Sequence, residues 1–367
     1  MPATNADRVY NFSAGPAVLP VPVLEQIRDE LLSLPGVGSS VLEISHRSKA
    51  FDEILKETES TLRTLLSVPD GYSVLFLQGG SRLQFSMIPM NFLPPGKTAD
   101  YLISGTWGKS ALAEAKKVGD TRVAWDGSAD NFSTLPDNSS LTWSENSAYV
   151  HITSNETIQG VQFQSEPQCG DVPLICDSSS DFLSRPIDVS QYGMIYACAQ
   201  KNAGPAGVTV VIVRDDLLSQ GDEQLPGYLL YRNHSKANSC YNTPPTFAVY
   251  VVGLVAKWLM NDIGGLEAVE KINHDKANKL YSVIDEFGSF YRGHAATDVR
   301  SKMNVTFRLP TEELEASFLA AAKNEGLTDL KGHRSVGGIR ASIYNAMPVA
   351  GVELLAQFMR NYAKENG

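Results

Sequence analysis

Short apolar segments alternate with longer segments of helical periodicity over most of the chain. The apolar segments are YSVLFL (72–77), ADYLIS (99–104), AYVHIT (148–153), VPLIC (172–176), GMIYAC (193–198) and VTVVIV (208–213). Nearly continuous Val, Ile, Leu and Tyr runs of this length are typical of strands buried on both faces. Because they alternate with helical segments such as 21–34 and 51–68, the sequence predicts an α/β fold with a mostly parallel sheet flanked by helices.

The pattern changes after about residue 245. A long helical region (247–287) leads to a strand, KMNVTFRL (302–309), and to a helix whose N-cap we expect at Thr311. GGIRASIY (337–344) and a closing helix follow. This order predicts a large domain over 16–260 and a smaller C-terminal α+β domain over 261–367, with residues 1–15 packing on the smaller domain.

Charge and composition exclude several classes of function. A net charge of −10 argues against nucleic acid as a partner, although a few arginines could still hold a small anionic substrate. No apolar stretch approaches the ~20 residues of a membrane span, and the first residues lack a basic segment followed by an apolar one, so we expect a cytoplasmic protein without a membrane partner. The four cysteines lack metal-ligand spacing, which predicts no metal site.

Lys201 is placed unusually, at the end of an apolar segment. In IYACAQKNAGPAG (195–207) it follows a predicted strand and precedes a turn rich in glycine and proline. A lysine in such a turn is usually solvated. The carboxyl ends of strands are, however, where open α/β sheets bind ligands, so the residues after the other strands decide between the two interpretations.

Three other strand ends carry residues with a possible role in catalysis. Gly79 and Gly80 precede a helix and could expose backbone N–H groups to a phosphate. Asp177 could cap a turn or face a cationic ring nitrogen, and Trp107 could pack in the core or stack on a flat ligand. Together with the amine of Lys201, these are the parts needed to hold pyridoxal 5′-phosphate.

Long motifs through the whole chain then resemble those of one family. They include NFSAGPAVLP, EISHRSKAF, FLQGGSRLQF, SNETIQGVQF, YNTPPTFAVY and KGHRSVGGIRASIYNAMP. The chain is similar to the phosphoserine aminotransferases, which belong to the class V aminotransferases among the fold-type-I pyridoxal-phosphate enzymes. The resemblance implies transfer of the amino group from L-glutamate to 3-phosphonooxypyruvate, in serine biosynthesis. It also leaves open formation of 4-phosphohydroxy-L-threonine, because both substrates end in phosphate.

The resemblance also implies roles for individual residues. Lys201 would be the Schiff-base lysine, Asp177 the partner of the pyridine nitrogen, Trp107 the stacking residue and Thr157 the partner of the phenolic oxygen. The cofactor phosphate would contact Ser81, Arg82 and Gln200, together with Asn242 and Thr243 from the other subunit of a homodimer. Arg340 would bind the substrate's α-carboxylate, and the distal anion would meet His46, Arg47, His333 and Arg334.

Two other interpretations compete with this one. Another fold-type-I enzyme, such as an alanine–glyoxylate aminotransferase or a cysteine desulfurase, would share the cofactor. A desulfurase needs a mobile catalytic cysteine, for which Cys240 is the candidate, although it adjoins the YNTPPTF motif. A non-catalytic protein that keeps the fold would be expected to have lost Lys201 or Asp177, and both are present.

Overall fold

The computed structural model describes residues 8–367 and contains both helices and strands. The strands are β1 (Tyr10–Asn11), β2 (Tyr72–Leu77), β3 (Thr98–Ile103), β4 (Asp120–Asp126), β5 (Ser147–Thr153), β6 (Asn155–Glu156), β7 (Val161–Gln162), β8 (Leu174–Asp177), β9 (Met194–Cys198), β10 (Thr209–Arg214), β11 (Arg292–Gly293), β12 (Asn304–Arg308), β13 (Leu327–Thr328) and β14 (Ile339–Ser342). The α-helices are α1 (Val21–Glu30), α2 (Lys49–Leu66), α3 (Gly80–Phe92), α4 (Thr106–Ala115), α5 (Asp215–Leu218), α6 (Tyr231–Lys236), α7 (Thr246–Trp258), α8 (Leu266–Glu286), α9 (Glu312–Asn324) and α10 (Val349–Asn366).

The main sheet has seven strands among the described residues, in the order β2-β10-β9-β8-β5-β3-β4. Strands β4, β3, β5, β8 and β9 pair in parallel, whereas β10 is antiparallel to both of its neighbours. The predicted, mostly parallel α/β sheet is therefore confirmed. All six strands predicted for it are present, and β4 is an additional edge strand.

Helices cover both faces of this sheet, as the continuous apolar strands require. Side chains of β2 alternate between two cores: Val74 and Phe76 pack with α2 and α7, whereas Leu75 and Leu77 pack with α3 and α4. Helix α2 begins where the Ser48 side chain accepts a hydrogen bond from the backbone N–H of Phe51 (3.2 Å).

A separate core lies in the C-terminal part of the chain. Helices α8, α9 and α10 pack on the sheet β11-β12-β14, around Phe307, Phe318 and Leu355. Thr311 caps α9 as expected, accepting from the N–H of Leu314 (3.3 Å). This core is consistent with the predicted small domain, whose boundary at residue 261 stays a prediction.

The N-terminal part of the described chain joins the C-terminal core. Strand β1 pairs in parallel with β13, and Phe12 is fully buried among the residues of that core. Residues 1–7, which belong to the segment predicted to pack there, lie outside the described residues.

The predicted helical region 247–287 forms two helices. Helix α7 continues through a π-helical turn (Leu259–Ile263), and the chain then turns at Gly264 and Gly265, whose φ angles are +96° and +93°. Residues that carry a side chain rarely adopt such backbone angles, so the two glycines allow the chain to turn between the two helices. By length and composition alone, Thr246–Ile263 could cross a membrane, but 56% of it is buried inside the protein and α7 packs against α2.

Candidate active site

Several predicted site residues meet at one edge of the main sheet. Strands β8 and β9 are parallel neighbours, so Asp177 at the end of β8 lies beside the start of the turn that carries Lys201. Strand β2 runs in the same direction because two antiparallel pairings separate it from β9. The start of α3 after β2 and the start of α4 after β3 therefore face the same edge.

The amine of Lys201 is held by two hydroxyl groups. Its Nζ donates to Thr157 Oγ1 (2.7 Å) and to Ser180 Oγ (2.9 Å), and these two oxygens are 2.6 Å apart. The Nζ also lies 5.6 Å from the centroid of the Trp107 ring. Lys201 as a whole is half-buried.

The carboxyl of Asp177 is buried close to this amine. Burial raises its pKa, and the positive charge of Lys201 and hydrogen bonds from Ser179 oppose that rise. Ser179 donates to Asp177 Oδ1 from its backbone N–H (3.0 Å) and its hydroxyl (2.5 Å). The hydrogen bonds therefore fix the orientation of the Asp177 carboxyl, and the positive charge of Lys201 stabilises its ionised form.

The start of α3 offers an anion site next to Trp107. Gly79 and Gly80 adopt φ angles of +89° and +62°, and no side chain among the described residues caps the helix. A Cβ on Gly80 would meet nothing within 4 Å, so the space beside the first N–H groups is open. Ser81 Oγ lies 2.8 Å from Ser179 Oγ, and the Arg82 guanidinium lies 5.6 Å from the Trp107 ring centroid.

Three further predicted residues, Arg340, Arg334 and His333, lie close together in the C-terminal part of the chain. Arg340 in β14 has a buried Nε without a hydrogen-bond partner in residues 8–367, and burial lowers its pKa. Burial also lowers the pKa of His333, and the charges of Arg340 and Arg334 lower it further. Arg340 lines a cavity of about 470 Å³, together with Gly332 and Ser335 of the loop that carries His333 and Arg334. Such a group can attract a dianionic substrate.

Among the described residues, the remaining predicted residues make no hydrogen bond to the amine of Lys201. His46 and Arg47 precede α2, with Arg47 exposed. Asn242 and Thr243 are both exposed, and the Thr243 carbonyl accepts from Gln78 Nε2 (3.0 Å). Gln200 accepts at its carbonyl from the N–H of Ala17 (2.9 Å).

Sequence reasoning missed three residues of the site. Ser179 and Ser180 lie two and three residues after Asp177; Ser179 contacts its carboxyl and Ser180 contacts Lys201. Glu156 precedes Thr157 and accepts hydrogen bonds from backbone N–H groups at the start of α4. The DSSS and SNET segments could have drawn attention to them, but serines after a strand are common in turns.

These residues fit pyridoxal phosphate. An amine, a buried carboxyl, an indole face and an open helix N-terminus lie close together, and the buried Nε1 of Trp107 has no partner among the residues described. Within residues 8–367, no three His, Cys, Asp or Glu side chains are grouped as a metal site would require.

Comparison with known proteins identifies the family. The sequence profile of the family described as "Aminotransferase class-V" matches residues 9–355. A phosphoserine aminotransferase of Rhodopirellula baltica is 58% identical over 366 residues, covering 99% of this chain and 97% of that protein. The chain belongs to the phosphoserine aminotransferase family.

Solved structures agree with this membership. The phosphoserine aminotransferase from Bacillus circulans subsp. alkalophilus has a TM-score of 0.97 and 51% identity, with 98% of this chain and 100% of that chain covered. The pyridoxal-phosphate-bound enzyme from Trichomonas vaginalis has a TM-score of 0.91 and 42% identity, covering 96% of this chain and 100% of that chain. The predicted family, the fold class, the enzyme class and the cofactor are thereby confirmed: the chain is a pyridoxal-phosphate-dependent aminotransferase.

Proposed function

We propose that the chain transfers the amino group of L-glutamate to 3-phosphonooxypyruvate, giving 2-oxoglutarate and O-phospho-L-serine in serine biosynthesis. The observation that carries this proposal is the 58% identity to a phosphoserine aminotransferase over 99% of a chain in which Lys201, Asp177 and Trp107 lie close together.

The residues around that space have complementary roles in transamination. Bound pyridoxal phosphate supplies an electron sink for negative charge at the substrate's α-carbon. Lys201 Nζ removes the proton from that carbon and later returns a proton, acting as base and then as acid. The carboxylate of Asp177 stabilises positive charge on the ring nitrogen, Trp107 covers a ring face and the Thr157 hydroxyl binds the phenolic oxygen.

The cofactor's phosphate is bound at the start of α3. Ser81 and Arg82 belong to the first turn of this helix, whose N–H groups and partial positive charge favour an anion. Gln200 adjoins Lys201 and adds a polar contact. We assign Asn242 and Thr243 to the phosphate site of a second subunit, since both are exposed in the single chain.

The substrate-binding residues suit molecules with an anion at each end. Arg340 binds the α-carboxylate through its planar guanidinium, which matches two carboxylate oxygens. The distal phosphate or γ-carboxylate binds His333 and Arg334, together with His46 and Arg47. The lowered pKa values of His333 and Arg340 support this assignment, because a bound anion would stabilise the charged form of both side chains.

We further infer a cytoplasmic homodimer with a large domain over 16–260 and a small domain over 261–367. The exposed side chains of Tyr241 (48%) and Leu42 (59%) support the dimer, because they adjoin Asn242 and the His46 segment and would be covered by a second copy.

The test is a coupled assay of the purified enzyme with L-glutamate and each of several keto acids. We expect equal amounts of O-phospho-L-serine and 2-oxoglutarate, and a kcat/KM for 3-phosphonooxypyruvate at least about 100-fold above that for pyruvate or glyoxylate, because those acids lack the distal anion. A preference for glyoxylate would contradict the proposed substrate. Comparable turnover of 3-hydroxy-2-oxo-4-phosphooxybutanoate would support 4-phosphohydroxy-L-threonine formation at the same site.

A further inference from the structure

A buried carboxyl, that of Glu156, lies next to the cofactor site but has no part in the reaction as described. Its side chain is fully buried, and both of its oxygens accept hydrogen bonds. The backbone N–H of Trp107 donates to Oε2 (3.0 Å) and that of Gly108 to Oε1 (2.8 Å). A buried charged group is costly unless it is hydrogen-bonded in this way.

The start of α4 is built around this carboxyl. The residue before the helix, Gly105, has no side chain to cap it. A Cβ on Gly105 would lie 2.5 Å from Glu156 Cδ and 2.6 Å from Gln159 Oε1, so a larger residue would displace both acceptors. Gln159 also receives the N–H of Thr106 (3.4 Å) and donates to its hydroxyl (3.0 Å).

The same turn carries a residue that contacts the catalytic lysine. Thr157 follows Glu156 directly, and its Oγ1 accepts from Lys201 Nζ (2.7 Å). Consecutive residues thus hold the helix that bears Trp107 and the amine of Lys201. The distance between the indole and that amine is therefore set through one short segment.

This segment is also attached to the strand next to Arg340. The hydroxyl of Thr306 donates to the carbonyl of Gln159 (2.8 Å), and the N–H of Ser301 donates to the carbonyl of Gly160 (2.9 Å). Thr306 in β12 is the register partner of Arg340 in β14. Residues 156–160 therefore connect the lysine, the indole and the predicted carboxylate-binding arginine.

We propose that Glu156 is a positioning residue, whose two hydrogen bonds to the N–H groups of Trp107 and Gly108 fix the indole of Trp107 against the cofactor ring. The inference rests on the proposed function, because it assigns a ring to the space beside Trp107. A carboxylate that served only to start α4 would affect the stability of the helix but not the geometry of the bound ring.

The test compares wild-type holoenzyme with Glu156→Gln. The amide keeps the shape of the carboxyl, but its NH₂ group cannot accept from a backbone N–H. We expect the dissociation constant of pyridoxal phosphate to rise about tenfold, the effect of losing one charged hydrogen bond. We also expect the visible circular dichroism of the bound cofactor to change, because that signal depends on the orientation of the ring against Trp107.

The matched control is Glu166→Gln. Glu166 is a half-buried carboxylate that accepts from Arg185 (3.0 Å) and Tyr192 (2.6 Å), away from the cofactor site. We expect this change to lower thermal stability but to leave cofactor affinity and circular dichroism as in the wild type. An equal loss of affinity in both variants would overturn the proposal.

A double-mutant cycle separates positioning from helix stability. In a Trp107→Ala background, Glu156→Gln should cost less than about twofold in cofactor affinity, because the side chain that it positions is gone. If the losses in free energy of cofactor binding caused by the two substitutions were fully additive, the proposal would be overturned. Wild-type protein that binds no cofactor would instead overturn the proposed function, and this inference with it.

A second variant perturbs the contact between Glu156 and the start of α4 from the other side, and it serves if the Gln variant fails to fold. Gly105→Ala places a methyl group against Glu156 and should reproduce the altered dichroism and the weaker cofactor binding. Gly288→Ala is its control, because Gly288 is exposed and a Cβ there would make ordinary contacts of 3.6 Å or more. Identical cofactor binding in the two alanine variants would contradict the proposal.

Discussion

At the scale of single residues, the charged side chains of the site determine which groups of a ligand can bind at each position. Asp177 is buried, which favours its neutral form, and the positive charge of Lys201 favours its ionised form. The guanidinium groups of Arg340 and Arg334 lie near the ring of His333, and their charges together with burial lower the pKa of that ring. The site therefore favours a ligand that brings a positive ring nitrogen to Asp177 and anions to the arginines.

Arg334→Ala tests the assignment of the distal anion. We expect KM for 3-phosphonooxypyruvate to rise by thirtyfold or more, from the loss of a charge-assisted pair of about 2–4 kcal/mol. The dissociation constant of the cofactor should be unchanged. In the control Arg28→Ala, whose exposed guanidinium pairs with Asp29, both KM and the cofactor dissociation constant should be unchanged. Weakened cofactor binding with an unaltered KM would show that Arg334 is wrongly placed.

The pH dependence of stability tests the environment of Glu156. Burial raises the pKa of its carboxyl from 4.5 to about 7. The hydrogen bonds from the N–H groups of Gly108 and Trp107 oppose the rise, as does the charge of Lys201, whereas the charge of Asp177 adds to it. The folded protein then binds more protons than the unfolded chain between these pH values, so the free energy of unfolding falls as pH rises through this window.

Glu156→Gln removes that titration. We expect the variant to gain up to about 3 kcal/mol in free energy of unfolding relative to wild type as pH rises from about 4.5 to about 7, and no more above it. Urea unfolding of the two proteins at equal concentration measures the difference. Parallel pH profiles would contradict a carboxyl that titrates near pH 7.

At the scale of elements, the sequence predicts what depends on local pattern and misses what depends on distant contacts. The limits of β2 agree with the prediction because its five apolar residues are all buried. Strand β4 was missed because it lies at the sheet edge and none of its residues is fully buried, so it lacks the long apolar run of the other strands. The antiparallel direction of β10 follows from pairing, which a local pattern does not encode.

The same distinction applies to the candidate site. Lys201, Asp177 and Trp107 stand at strand ends, where the sequence pattern draws attention to them. Glu156 was missed because its partners, Trp107 and Gly108, are almost fifty residues away along the chain. Only the folded arrangement of β6 and α4 brings them into contact.

A buried lysine at the junction of elements provides a further test. Lys276 in α8 is fully buried, and its Nζ donates to the carbonyls of Ile343 (2.9 Å) and Tyr344 (2.7 Å), and at longer range to those of Asn345 and Met347. These carbonyls follow β14, so the ammonium group stabilises the segment after Arg340.

Lys276→Met removes the Nζ donor from those carbonyls, of which, among the described contacts, only that of Tyr344 keeps another donor, the N–H of Met347 (2.9 Å). We expect a loss of about 2–4 kcal/mol in free energy of unfolding, because unsatisfied buried acceptors are costly. In the control Lys279→Met, an exposed pair with Glu353 (2.9 Å) is lost, which should cost less than about 1 kcal/mol. Urea unfolding measures both, and equal losses would contradict the assigned role of Lys276.

At the scale of the whole molecule, the site draws on both cores and on surfaces exposed in one chain. Asn345 connects the two parts: its N–H donates to Asn202 Oδ1 (2.8 Å), beside Lys201, and its side chain donates to the carbonyl of Leu183 (2.8 Å). The C-terminal segment after Arg340 is therefore held against the turn that carries the lysine. Asn242 and Thr243, in contrast, are exposed in the single chain, and their proposed contribution is to the site of a second subunit.

Mixed dimers test this contribution. Co-expressed subunits, one carrying Lys201→Ala and the other Asn242→Ala with Thr243→Ala, would form one intact site per mixed dimer if Asn242 and Thr243 act on the partner's cofactor. We expect about a quarter of wild-type activity from random pairing. Lys201→Ala alone should lose at least several hundredfold in turnover. Mixed dimers no more active than the two homodimers together would contradict a shared site.

The central claim is that one site accepts an amino group from glutamate and passes it to a phosphorylated keto acid. The most direct measurement is the visible absorption of the purified holoenzyme during addition of L-glutamate and then of 3-phosphonooxypyruvate. We predict that glutamate bleaches the cofactor band and that the phosphorylated keto acid restores it. No visible band with added cofactor, or a bleached band restored only by a different keto acid, would contradict the claim.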